Sequence, residues 1–302
     1  MNEEIRRRVL RGIAWNRTPG FHFAGNFLGI ELTEAGVKTR VVMEPGAHAI
    51  EPDGQVHVAI VFMAADIALA SAIRSQLAPS SRLATVSMHL QVNGHPMTGT
   101  LEARGEFHGF IERAQSRQGL ARVTIFAGGR EVGFGHGAFM ALDPTPGMTM
   151  FPLQPRRNPD VPVPSEDSLD EDERDILRRA EEALAGGDDS FVARFFGILP
   201  RKTAEGASCS MRNGAHVGNR VGHVQGGILM GLAASTAAAA MGERWRLASI
   251  AASFVSPGEG EVLEATSKPV HRGRWTAVAR TEVIAPGGRR VLDVGTTHAL
   301  AE

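Results

Sequence analysis

Two stretches of the chain lack the polar face that a surface helix keeps. The first, V-H-V-A-I-V-F-M-A-A-D-I-A-L-A-S-A-I-R-S-Q-L-A (56–78), has no Pro or Gly and is apolar on nearly every side until Arg74. It is long enough for about six helical turns. The second is V-Q-G-G-I-L-M-G-L-A-A-S-T-A-A-A-A-M (224–241). A helix apolar all round is enclosed either by protein or by lipid. Asp66 stands in the middle of the first, and an ionised carboxylate in an apolar setting is expensive unless paired, hydrogen-bonded or employed. The length permits a bilayer span, but the central Asp66 and the Ala/Gly composition of the second stretch argue against insertion. Both are expected to be core helices.

Alternating patterns surround each of them. Residues 3–14 predict a short helix with Arg6, Arg7, Arg8 and Arg11 on its outer side. Residues 27–43 predict a hairpin turning at Ala35-Gly36. Pro79 is expected to end the long helix, and strand-like runs follow at 82–92, 99–108, 110–126 with a break near Gly119, and 131–141. Prolines at 144, 146, 152, 155, 159, 162 and 164 predict an extended linker. Ser168 is expected to cap a charged helix that stops at Gly186-Gly187. The first order then returns: 190–201 and 207–212 in the hairpin's place, the helix 224–241 closed by Gly242, and strands at 246–255, 261–270, 274–284 and 290–300. A Pro-Gly-Gly turn falls at 286–288. Short identities support a duplication: R-L-A-T-V (82–86) against R-L-A-S-I (246–250), and L-E-A-R (101–104) against L-E-A-T (263–266). The fold class is therefore α+β, a tandem of two units, each a long central helix wrapped by a curled antiparallel sheet. The expected divisions are 1–142, a linker at 143–167, and 168–302.

Composition narrows the functions. The chain has 302 residues and a formal net charge of −1, from 32 basic and 33 acidic residues. That balance gives no electrostatic case for nucleic acid or an anionic membrane. Cys209 is the single cysteine, which excludes an internal disulfide and a cysteine-rich metal site. The start, M-N-E-E-I-R-R-R-V-L, lacks the apolar core of a signal peptide. A cytoplasmic protein is expected.

The second copy carries N-R-V-G-H-V-Q-G-G-I-L-M-G-L-A-A, then L-A-S-I-A-A-S-F-V-S-P-G and G-E-V-L-E-A-T-S-K-P-V-H-R-G-R. These runs resemble the hotdog-fold acyl-CoA thioesterases of the phenylacetate-pathway (PaaI-like) type, well over roughly 195–300 and more weakly over 20–142. In that family an Asn stands six places before a His-Gly-Gly that opens the central helix, and an acid follows the His by about nine places. Here Asn219 fits the Asn, Gln225 replaces the His, Gly226-Gly227 fit the glycines, and the acid position is Ala234. In the first copy His57 fits the His, Val58-Ala59 replace the glycines, Glu51 stands for the Asn, and the acid position is Asp66. Each half has lost what the other kept.

Nine helical residues span roughly 13 Å, so an acid at that position cannot serve the N-terminus of its own helix. It can serve the partner helix in a face-to-face pair, as the family's dimers are understood to work. The resemblance therefore implies a pseudo-dimer with one composite site, Asp66 from the first half with Asn219 and Gly226 from the second. The reciprocal site, Val58 facing Ala234, would be silent. The implied activity is hydrolysis of acyl-CoA. The Gly226 amide would stabilise the oxyanion, Asn219 would hold water or carbonyl, and Asp66 would act as general base or as nucleophile. Gln225 and Gly227, at the helix entry, would contact substrate. Thr85 and Ser249, at matching strand positions, would line the acyl pocket, and Arg272 and Arg274 would meet the CoA phosphates. No metal and no cofactor is expected, and tandem chains can pair into a homo-oligomer. A non-catalytic acyl-CoA binding protein is the alternative from another class. An enoyl-CoA hydratase of hotdog fold lacks its D-x-N-P-x-H signature here.

Overall fold

The computed structural model describes residues 2–18, 20–113, 116–144, 153–155 and 160–301. One unit occurs twice. Its first copy comprises α1 (Asn2–Asn16), α2 (Phe23–Leu28), β1 (Glu31–Glu34), β2 (Lys38–Met43), α3 (Val58–Arg74), β3 (Arg82–Val92), β4 (Leu101–Arg113), β5 (Ser116–Ala127) and β6 (Arg130–Leu142). The second comprises α4 (Glu171–Ala185), α5 (Phe191–Phe196), β7 (Arg201–Thr203), β8 (Gly206–Arg212), α6 (Gly226–Met241), β9 (Trp245–Phe254), β10 (Val262–Arg272), β11 (Thr276–Ala285) and β12 (Arg289–Leu300).

The strands form one 12-stranded sheet in the order β1-β2-β4-β5-β6-β3-β9-β12-β11-β10-β8-β7. That order is the same unit read outward in both directions from a β3–β9 seam, where Leu90 faces Ile250. α3 packs on β2 to β6, and α6 on β7 to β12. Strands such as β5 and β11 alternate buried and open positions, as a sheet with one face on a core must.

The central helices are apolar all round because they are covered on every side. Each residue of α3 from Ala59 to Leu69 is buried, part against the sheet and part against α6. Gly227 and Gly231, one turn apart, permit that crossing. A Cβ on Gly227 would fall 2.4 Å from the Met63 backbone, and one on Gly231 2.2 Å from the Ala59 Cβ. The close approach carries the middle of α3 to the tip of α6.

A second junction joins the halves through α2 and α5. Phe27 meets Phe191 at 6.0 Å between ring centroids, and Phe23 meets Phe195 at 6.2 Å. Both helices end on a left-handed glycine, Gly29 (φ 71°) and Gly197 (φ 72°), a conformation glycine adopts without penalty. They correct the expected opening hairpins: residues 23–28 and 191–196 are helical, and strand begins only at Glu31 and Arg201. Six residues are too few for periodicity to mark; the caps of His22 and Ser190 and the shared aromatic cluster fix them.

Other boundaries move for local reasons. The first long helix ends at Arg74 with Ser75 as its cap, so Pro79 lies beyond it. β5 runs unbroken through Gly119, where a Cβ would collide with Ile73 at 2.3 Å. α4 is capped by Asp170 in a capping box with Glu173, while Ser168 closes a 3₁₀ turn before it. Arg8 turns inward from α1 and donates to the carbonyls of Phe27 and Leu28. Residues 145–152 and 156–159 of the expected linker lie outside the described residues. Among the described residues, no helix is long and apolar enough to cross a membrane.

Candidate active site

The helix crossing sets Asp66 against the first turn of α6. Its side chain is buried, with the residue only 8% exposed. Oδ1 accepts a hydrogen bond from the Thr85 hydroxyl at 3.2 Å, and Oδ2 accepts one from the Gln225 amide Nε2 at 2.5 Å. A Cβ placed on Gly226 would stand 3.3 Å from both Asp66 Oδ1 and Thr85 Oγ1. The cluster thus takes Asp66 and Thr85 from one half and Gln225 and Gly226 from the other.

Local structure aims each member. Gln225 caps α6: its Oε1 accepts from the Ile228 amide at 3.0 Å, and its backbone carbonyl accepts from Leu229. With the oxygen held by its own helix, the side-chain nitrogen must face the carboxylate. No protein acceptor takes the Gly226 amide among the described residues, and this N–H lies at the positive end of a 16-residue helix. Gly226 is also half-buried rather than sealed.

Thr85 owes its direction to a bulge. Thr85 pairs with Phe139 and Ser87 with Ala138, leaving Val86 as the extra residue. The same bulge recurs in β9 at Ala248, but there the residue opposite His298 is Leu247. Ser249 comes after the bulge, and its hydroxyl bonds that of Thr297 at 2.7 Å on the outer face. The identity of R-L-A-T-V with R-L-A-S-I is therefore two residues out of step with the sheet, and Ser249 does not face the helices.

Burial pushes the Asp66 carboxyl up to about 7, while the hydrogen bond from Thr85 pulls it down. Near neutral pH both its acid and base forms are populated. The reciprocal position differs in every member. His57 caps α3, its Nδ1 accepting from the Ala59 amide at 3.1 Å, and burial pushes it down to about 4. Val58 stands at the helix start in place of Gly226, with Ala234 in place of Asp66. Glu51, raised above its usual range by burial, accepts from Ser190 at 3.0 Å and lies 3.5 Å from His57 Nε2.

Among the described residues, none of the remaining sequence candidates makes a hydrogen bond to the carboxylate. The Asn219 side-chain oxygen accepts from the amides of Val221 (2.9 Å) and His223 (3.1 Å), closing the turn that leads into α6. Gly227 serves the helix crossing. Arg272 donates to the Ala240 carbonyl at 2.7 Å, at the opposite end of α6 from Gly226, and Arg274 stacks on Trp275 at 4.8 Å. Fourteen helical residues separate Gly226 from Ala240, roughly 21 Å. Sequence reasoning placed Thr85 and Gln225 near substrate but missed that both bind the acid. The bulge and the cap that aim them leave no periodic trace.

Residues 216–299 match the acyl-CoA thioesterase N-terminal domain. No curated protein matches the chain. Among solved structures, it is similar to a 12:0-ACP thioesterase from Umbellularia californica, with a TM-score of 0.55 and 10% identity over 88% of this chain and 95% of that one. It is similar to the tesB protein of Mycobacterium avium subs paratuberculosis, with a TM-score of 0.52 and 13% identity over 90% and 96%. A conserved protein of unknown function with hot dog fold from Alicyclobacillus acidocaldarius gives 0.54 and 10% over 96% and 98%. At such identities these likenesses are likenesses of fold. With its doubled sheet, the chain has the tandem hotdog fold of these neighbours, and its second half carries the match to the acyl-CoA thioesterase domain.

Proposed function

We propose that the chain hydrolyses acyl-CoA thioesters at one composite site between its halves. The observation that carries this is the buried Asp66 carboxylate, bonded by Thr85 of its own half and Gln225 of the other, beside the Gly226 amide. The thioester carbonyl oxygen would point at the Gly226 N–H, which has no competing acceptor and no Cβ in the way. Asp66 would take a proton from a water as that water attacks the carbonyl carbon. The tetrahedral oxyanion would be held by the amide. Collapse would expel the CoA thiolate, which recovers the proton from Asp66. A donor of this kind is worth about 3 kcal/mol in the transition state.

Each carboxylate oxygen keeps a lone pair beyond the one its hydrogen bond uses, so Asp66 can still accept a proton from a water. A carboxyl pushed up to about 7 is also well matched to proton transfer at neutral pH. The PaaI-like motif reaches this chain with its His replaced by Gln225, which retains a donor toward the acid. Release of free thiol from a panel of acyl-CoA substrates tests the reading. Wild-type turnover with Asp66→Asn inactive is expected; undiminished turnover by Asp66→Asn would defeat it.

A further inference from the structure

The second half differs from the first beyond the helix crossings. Strand register sets Ser267 in the place of Gly105, Thr281 of Val123, Thr296 of Gly137 and His298 of Phe139. At these four positions the first half has glycine or an apolar side chain where the second has a polar one, although the first half buries Thr39 opposite Gly105 where the second has Ala207 opposite Ser267. All four polar residues are at most 1% exposed, on strands that α6 covers. Ser267 and Thr281 sit directly opposite one another. His298 lies opposite Leu247, the residue that holds Thr85's position in this half. The polar side chains also divide the core: Ala237, Met241, Ala277 and Ala279 form a small cluster separate from the main one.

Three of these polar atoms have no partner among the described residues: Ser267 Oγ, Thr281 Oγ1 and His298 Nδ1. Native interiors rarely leave such atoms unanswered. The bonds that are present dictate what must answer them. His298 Nε2 lies 2.9 Å from Thr296 Oγ1, and the Thr296 hydroxyl reaches the Ala279 carbonyl at 3.5 Å. If Thr296 donates to that carbonyl, it accepts from Nε2–H, and Nδ1 is left as a bare acceptor. A guest there must donate a proton. At the Ser267–Thr281 pair it can donate, accept or do both, since each hydroxyl offers a proton and lone pairs. A hydroxyl group suits both places; a metal cation or a carboxylate cannot donate at the first.

We propose that the inner face of the second sheet beneath α6 is an internal binding site for hydroxyl-bearing guests, extending from the silent counterpart of the active site. The polar positions span four residues along β12, from Thr281's partner Val294 to His298, about 13 Å. Two sources share that chemistry: ordered water, and the hydroxyl of a hydroxylated acyl group.

The test exchanges Thr281→Val and His298→Phe, which install the first half's residues, and Ser267→Ala. If guests bind, each exchange removes a made bond, and the melting temperature falls by about 2 °C or more. If the hydroxyls are buried unanswered, removing them raises it. A high-resolution crystal structure of the wild type should show an oxygen within hydrogen-bonding distance of Ser267, Thr281 and His298 Nδ1. Kinetics separate the sources. With water as guest, the ratio of kcat/KM for 3-hydroxyacyl-CoA over unsubstituted acyl-CoA is unchanged in Thr281→Val; with an acyl hydroxyl as guest it falls about tenfold. Raised melting temperatures in Thr281→Val and Ser267→Ala, with no guest density in the wild type, would overturn the proposal. The thermal and crystallographic readouts need no turnover, so they stand apart from the hydrolysis reading.

Discussion

The two halves share one architecture and differ at each position of the proposed site. Asp66, Thr85, Gln225 and Gly226 meet at one crossing of α3 and α6; Ala234, Leu247, His57 and Val58 hold the matching positions at the other. The scaffold devices are kept on both sides: the bulge at Val86 and Ala248, the side-chain caps of His57 and Gln225, and the left-handed glycines 29 and 197. The fold therefore tolerates either set. The acid, the donors and the bare amide are additions to a frame that stands without them.

The contrast is broken first by removing the acid. Asp66→Asn should lower kcat/KM by about 10³-fold in a thiol-release assay, while Ala234→Ser at the reciprocal position should leave it within about twofold. Gln225→Ala should cost about 10²-fold through the lost donor, with about 1 kcal/mol of stability through the lost cap, read by chemical denaturation. His57→Ala should show the loss of stability without the loss of rate. Thr85→Val should cost about tenfold, from one hydrogen bond to a charged group.

Protonation sharpens the same contrast. A general base works ionised, so kcat/KM should rise with pH through about 7, the value to which burial pushes Asp66. Thr85→Val removes the bond that lowers that value and should move the midpoint upward. For stability the sign is opposite. The folded carboxyl lies near 7 against an ordinary 3.8, so its favourable contribution is complete below about 4 and is lost as pH rises toward 7. Asp66→Asn should therefore gain stability over the wild type between pH 4 and 7 and hold that gain above it, by up to about 4 kcal/mol. A titration of melting temperature for both proteins reads this, and Ala234→Ser should show no such pH-dependent gap.

How far the sequence could reach follows from what kind of feature each element is. The central helices are legible because their apolarity is continuous, and the nearness of Asp66 to Gly226 through the family resemblance, which sets the acid too far along its own helix to serve that helix's start. The strands are legible from alternation. The short helices α2 and α5 are not, although F-A-G-N-F-L-G-I (23–30) and F-V-A-R-F-F-G-I (191–198) repeat one another, because packing across the junction rather than propensity sets them. Thr85 and Ser249 look equivalent in sequence and are not in space, since register across a bulge is a property of the paired strands. Gln225 looks like a degraded His, yet its two-ended amide caps a helix and reaches the acid together. Arg272 and Arg274 look available for phosphates, whereas one closes the far end of α6 and the other lies on Trp275.

The central claim is that a carboxylate from one half and a capping amide from the other act as a unit. A double-mutant cycle of Asp66→Asn and Gln225→Ala, read as kcat/KM on an acyl-CoA, tests it most directly. If the two groups share one step, the double variant should be no slower than Asp66→Asn alone. Losses that multiply, as for groups working independently, would contradict it.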